Sequence, residues 1–137
     1  MNYRRVVLWD SSAVLALLDA DDANHAAAVA TVERMTTEAR PCLATNFLMA
    51  ETHALLLAKL GRAAARRWLF EGGMPVERAL PRDEERAREI LAGYEDKDWS
   101  LCDAISFAFM EARGLRTAFS YDRHFRQHGR FEILGKP

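Results

Sequence analysis

Apolar residues along this chain fall into short unbroken runs separated by longer stretches of helical period. Residues 6–9, Val-Val-Leu-Trp, form one such run, and it stops at Asp10. A run without polar alternation marks a strand buried on both faces, as in a parallel sheet. Residues 11–18 follow with Ala13 and Leu17, then Val14 and Leu18, at four-residue spacing, which predicts a helix. The alanine-rich segment 23–37 predicts a second. Residues 41–44 are a short apolar run and a candidate second strand. Residues 46–60 predict a long helix ended by Gly61, and 62–70 another closed by Gly72-Gly73. A strand is expected within 74–80 and a charged amphipathic helix over 82–92. The stretch 93–99 is polar. A helix over 100–113 ends at Gly114, and 115–119 and 131–134 read as the last strands.

Strands alternating with helices argue for an α/β fold with a mostly parallel central sheet of about four to five strands. In such folds ligands bind beyond the carboxyl ends of the strands. Asp10 stands just past the first strand, and Asp122 a few residues past the strand at 115–119. Both are therefore expected at the functional edge.

A length of 137 residues suits one domain, 1–137, with a core of its own. Hydrophobic residues at 50% and charged residues at 28% fit a soluble globular protein. The net charge of -1 excludes a general polyanion binder but leaves room for a local basic patch. Cys42 and Cys102 have neither metal-ligand spacing nor a disulfide framework and read as buried reduced thiols. The first apolar run is far too short for a signal-peptide core or a membrane span. Cytoplasmic residence without membrane attachment is the expectation.

Four acids stand in or just beyond apolar stretches, where a charge is costly. Asp10 lies at a strand-to-helix junction and reads equally as a helix cap. Asp103 completes a capping box with Ser100. Capping still leaves one carboxylate oxygen free. Asp122 could likewise cap a short turn over 123–127. Glu51 falls inside a helix, so capping does not explain it. Phe47, Ala54, Leu55 and Ala58 share its face, which leaves a buried ion pair or a bound cation. Carboxylates crowded together raise one another's pKa, and a divalent cation removes that penalty. Oxygen ligands without a His or Cys cluster suit Mg²⁺ or Mn²⁺. Such a centre can activate water for phosphodiester hydrolysis.

The run from Val7 to Ala13 around Asp10 resembles the opening motif of the PIN-domain ribonucleases, and 46–51 resembles their second. The segments 96–107 and 118–125, which ends Asp122-Arg123-His124-Phe125, resemble the third and fourth motifs of VapC-like toxins of toxin–antitoxin pairs. The resemblance spans nearly the whole chain. It implies a single PIN domain with a three-layer α/β/α sandwich and metal-dependent endoribonuclease activity. It carries over Asp10, Glu51, Asp103 and Asp122 as catalytic, metal-binding acids. Ser120 stands where the family often has threonine, with its hydroxyl orienting a water or an acid, and Ser11 is a second such hydroxyl. Asp98 is an additional acid near the third motif, readable as a residue that supports the metal ligands or as a loop residue. The resemblance also implies an RNA substrate and a small antitoxin partner.

Arg116, Arg123, Arg126 and Arg130 cluster in sequence around the fourth acid and are the expected RNA contacts. Arg62, Arg66 and Arg67 form a second basic group, equally readable as a solvated helix face. His25 and His124 read as packing or hydrogen-bonding residues. Tyr121 reads as a base-stacking or a packing ring. The apolar helices of the first half are the expected surface for the antitoxin and for a homodimer. Two rivals remain. Phosphohydrolases working through an aspartyl phosphate need a second aspartate two residues after the first, where this chain has Ser12. A catalytically weak or inactive PIN or receiver-like module would act through a protein partner alone, but this chain keeps all four acids.

Overall fold

The computed structural model describes residues 2–135. After a 3-10 turn over Tyr3–Arg5 come β1 (Val7–Trp9), α1 (Ser11–Leu18), α2 (His25–Thr37), β2 (Cys42–Thr45), α3 (Asn46–Leu60) and α4 (Arg62–Glu71). The chain continues with β3 (Val76–Glu77), α5 (Pro81–Gly93), α6 (Leu101–Arg113), β4 (Thr117–Phe119), α7 (Arg123–His128) and β5 (Glu132–Leu134). The sheet order is β3-β2-β1-β4-β5, with every pairing parallel. Helices cover both faces, giving a three-layer α/β/α sandwich.

Side chains alternate across each strand. Val7 and Phe119 point to one face and pack on Ala13, Ala16, Ala28 and Met35 of α1 and α2. Leu8 and Ala118 point to the other and pack on Ile105, Phe109 and Ile90 of α6 and α5. Burial on both sides is why 6–9 carries no polar alternation.

The expected strand at 74–80 shrinks to two residues. Its role as an edge is held by side chains. Arg113 donates from Nε to Glu77 (2.7 Å) and from both terminal nitrogens to Asp83 (3.1 and 3.0 Å), above the Phe109 ring at 3.7 Å. Tyr3 donates its hydroxyl to Glu77 (2.6 Å). Burial penalises the Asp83 carboxylate, but Arg113 and the Leu80 N–H outweigh it and hold the pKa below the usual range. The network ties the N-terminal turn, β3, α5 and α6 together.

Helix α6 is buried without a break from Asp103 to Met110. A helix apolar on all sides belongs in the interior, and here it fixes Asp103 rigidly. Gly114 ends it in the left-handed region (φ 67°), where a side chain would be strained. Helix α3 starts on Thr45, a fully buried residue whose hydroxyl accepts from Leu48 N–H (3.0 Å). Thr45→Ala should lower the unfolding free energy by about 1 kcal/mol. The expected readout is a lower urea midpoint with an unchanged slope, and an unmoved midpoint would mean that the cap does not hold α3. No helix among the described residues is long and apolar enough to cross a membrane.

Candidate metal centre

The register between β1 and β4 sets Trp9 opposite Phe119. The next residues, Asp10 and Ser120, therefore leave the carboxyl edge side by side, with Asp10 N–H donating to Phe119 O (3.0 Å). Asp10 is the N-cap of α1 and is 2% exposed. Ser12 and Ser120 both donate their hydroxyls to Asp10 Oδ2, at 2.5 and 2.9 Å. The same two oxygens accept from the backbone of the following loop. Tyr121 N–H donates to Ser12 Oγ and Asp122 N–H to Ser120 Oγ, each at 3.0 Å. Asp10 thus latches the loop that carries Asp122. Burial pushes its pKa up to about 6 against the pull of the two serine hydroxyls, with Glu51 and Asp122 adding to the rise.

Glu51 reaches the same edge from α3, where Ser11 donates to its Oε1 at 2.7 Å. The buried stripe of α3 runs through Leu48, Thr52 and Leu56, while Ala54 and Ala58 are exposed. Glu51 therefore sits at the rim of the buried face and not on the apolar stripe expected from its spacing. Cys102 is half-buried between the acids. Burial and then the charge of Glu51, with Asp103 and Asp10 adding, push its thiol well above the usual value, which keeps it neutral.

Asp103 occupies the third position of α6 and accepts from Ser100 N–H at 3.0 Å, so the capping box forms. Asp122 caps α7 by accepting from His124 N–H at 2.9 Å. The His124 ring lies among three acids. Its Nδ1 is 2.7 Å from Asp103 Oδ2 and 3.2 Å from Asp122 Oδ1, and its Nε2 is 3.2 Å from Asp98 Oδ1. Neither ring nitrogen has an aligned hydrogen-bond partner among the described residues. One ligand atom each from Asp103, Asp122 and His124 fall within 4.8 Å of one another, a spacing able to hold a metal ion. Asp10 is joined to the loop carrying Asp122 through the Ser12 and Ser120 hydroxyls, whereas Glu51 is held by Ser11 alone.

His124 is the residue whose place in the site sequence reasoning missed. The available signal was its spacing of two from Asp122 at a helix start, which turns its ring back onto the capping carboxylate. Ser12 was likewise overlooked as a bridge. Asp98 is exposed and pairs with Arg123 at 2.7 Å, outside the trio. His25 hydrogen-bonds Ala16 O (2.9 Å), and Tyr121 packs on Phe119. The four arginines expected around the fourth acid separate. Arg123 and Arg126 are on α7 beside Asp122, whereas Arg116 and Arg130 line a cleft at the opposite edge of the sheet.

Known proteins resemble this chain in sequence and fold. The PIN domain family model matches residues 7–130, which include all four acids. The 23S rRNA-specific endonuclease VapC20 of Mycobacterium tuberculosis is 30% identical over 132 residues, covering 93% of this chain and 98% of that protein. Ribonuclease VapC26 of the same organism is 26% identical over 137 residues, covering 93% and 99%. The crystal structure of VapC20, described as a sarcin-ricin loop cleaving toxin, matches with a TM-score of 0.77 at 28% identity, over 93% and 98% of the two chains. This chain therefore belongs to the PIN-domain family. Within it, the chain is closely related to the VapC-family toxins of type II toxin–antitoxin systems.

Proposed function

We propose that this protein is a Mg²⁺- or Mn²⁺-dependent endoribonuclease and the toxin of a type II toxin–antitoxin pair. The observation that carries this reading is the gathering of Asp10, Glu51, Asp103 and Asp122 from four separate segments at one sheet edge. Among the described residues no lysine or arginine pairs with any of the four. Crowded carboxylates without a lysine or arginine among them suit a divalent ion.

Asp10, Glu51, Asp103 and Asp122 would hold the ion, some of them through water. The bound ion supplies Lewis acidity toward a phosphodiester and offsets charge developing on the scissile phosphate. Ser120 and Ser12 fix the Asp10 carboxylate, leaving its second oxygen for the ion. His124 positions Asp103 and Asp122 relative to each other. Arg123 and Arg126, exposed beside Asp122, are the proposed contacts for the RNA backbone next to the cut. Structured RNA is the proposed substrate, and ribosomal RNA is the first candidate because VapC20 is described as acting on it.

The antitoxin is proposed to dock on the helical flank of α1, α3 and α4. There Leu18, Leu60, Ala64 and Trp68 line a groove of about 390 Å³, bordered by Arg67 and Glu71. An amphipathic partner segment fits such a surface. A homodimer through the same half of the molecule and a cytoplasmic location belong to the same reading.

The test is incubation of the purified protein with total cellular RNA, with Mn²⁺ or Mg²⁺ and with chelator. Discrete fragments that need the metal are expected. No cleavage by folded, metal-supplied protein, even with ribosomal RNA, would overturn the reading in favour of a binding module.

A further inference from the structure

In a parallel sheet, the residues just before each strand gather at one edge, opposite the carboxyl edge. Here four adjacent strands each receive an arginine at that edge. Arg4 and Arg5 precede β1, Arg40 precedes β2, Arg116 precedes β4 and Arg130 precedes β5. Together they line an open cleft of about 720 Å³. Five arginines face two glutamates, Glu38 and Glu132, so the cleft carries a surplus of three positive charges in a chain whose net charge is -1.

Arg40 forms the floor. It is 15% exposed and donates to Arg5 O (3.2 Å), Thr117 Oγ1 (3.0 Å) and Glu132 Oε1 (3.4 Å). Arg5 donates to Glu38 O. Arg4, Arg116 and Arg130 are exposed, and among the described residues their guanidinium groups have no hydrogen-bond or ion-pair partner. Like charges held at one edge repel, and an anion relieves that repulsion. Guanidinium forks match phosphate oxygens two at a time.

We propose that this cleft is a second RNA-docking site, which grips the phosphate backbone of a segment remote from the bond that is cut. The proposal rests on the endoribonuclease reading for the identity of the polyanion. Among the described residues no apolar side chain lines the cleft, which disfavours a protein segment, since docked peptides are anchored by apolar contacts. Arg116 and Asp122 lie at opposite ends of β4, six residues apart, a span of up to about 20 Å at about 3.3 Å per residue. One phosphate cannot touch both sites, so the RNA must extend across the molecule. A folded RNA is favoured over a short single strand for that reason.

The experiment measures binding of a fluorescein-labelled ribosomal RNA hairpin by anisotropy, in chelator and over a range of salt. The proteins are wild type, the triple variant Arg4→Ala/Arg116→Ala/Arg130→Ala, and a control, Arg62→Ala/Arg66→Ala/Arg67→Ala. The control removes the same charge from α4. The cleft variant should bind at least about tenfold more weakly at physiological salt, with the log K against log salt slope reduced by about 2 to 3. The control should lose far less. The three cleft residues are exposed, and an unchanged thermal melt confirms the fold of the variant.

Equal losses in both triple variants would reduce the effect to net charge and overturn the proposal. Unchanged RNA affinity with loss of poly-glutamate binding would overturn it in favour of an acidic protein segment. If wild type cleaves RNA but the cleft variant binds it normally, only the cleft assignment falls. If wild type neither cleaves nor binds RNA, the endoribonuclease reading falls and takes the cleft assignment with it.

Discussion

Asp103→Asn should lower RNA cleavage by at least about a thousandfold, equivalent to about 4 kcal/mol of lost transition-state stabilisation. The side chain is held at both ends of its environment. Its Oδ2 accepts from Ser100 N–H and faces His124, while α6 is buried from this residue onward. Asparagine keeps the volume and an acceptor oxygen for the cap. It loses the charge that a divalent ion needs and one of the two carboxylate oxygens. Circular dichroism and melting of the variant should therefore match a folded protein while metal-dependent cleavage disappears. Cleavage at the wild-type rate would remove Asp103 from the metal centre and leave it as a capping residue only.

Much of the scaffold around that residue was legible in the chain. The strands of a parallel sheet are covered on both faces, so they appear as unbroken apolar runs, and Gly61 and Gly114 mark where α3 and α6 stop. Edge strand β3 was poorly legible because it has only two residues and is held by Glu77 through Arg113 and Tyr3, contacts of long sequence separation. Asp10, Asp103 and Asp122 were legible because each stands at a handover between elements, and Glu51 because a carboxylate inside a helix has no capping role. The orientation of Glu51 was misread because alanines pattern as apolar yet are small enough to sit exposed, as Ala54 and Ala58 do. Arg116 and Arg130 show the limit of proximity in sequence. Strand β4 lies between Arg116 and Asp122, and helix α7 between Asp122 and Arg130, so both arginines are carried to the opposite edge of the sheet. His124 was hidden for the reverse reason, because the first turn of α7 folds it back among acids from other segments.

In chelator at pH 7, Asp10→Asn should be more stable than wild type by roughly 1–3 kcal/mol, an unusual direction for a buried residue at the centre of the site. Burial raises the Asp10 pKa from 3.8 to about 6. Between those values the folded state holds a proton that the unfolded state has released. The contribution of Asp10 to stability is therefore highest below about pH 4, falls as pH rises through about 6, and stays reduced above it. A rise of about two units corresponds to about 3 kcal/mol. Asparagine avoids the charge but accepts less well from the Ser12 and Ser120 hydroxyls, which places the net gain below that ceiling. The advantage of the variant should vanish near pH 4, where wild type carries the proton too. Added Mn²⁺ should raise the melting temperature of wild type through preferential binding to the folded state and do little for the variant. Melts at pH 4 and 7, with chelator and with Mn²⁺, read all of this at once. A variant less stable than wild type in chelator at pH 7 would mean that the two serine bonds outweigh the burial of the charge. The carboxylate would then stabilise the metal-free fold, and the electrostatic case for a cation at this edge would lose its strongest term.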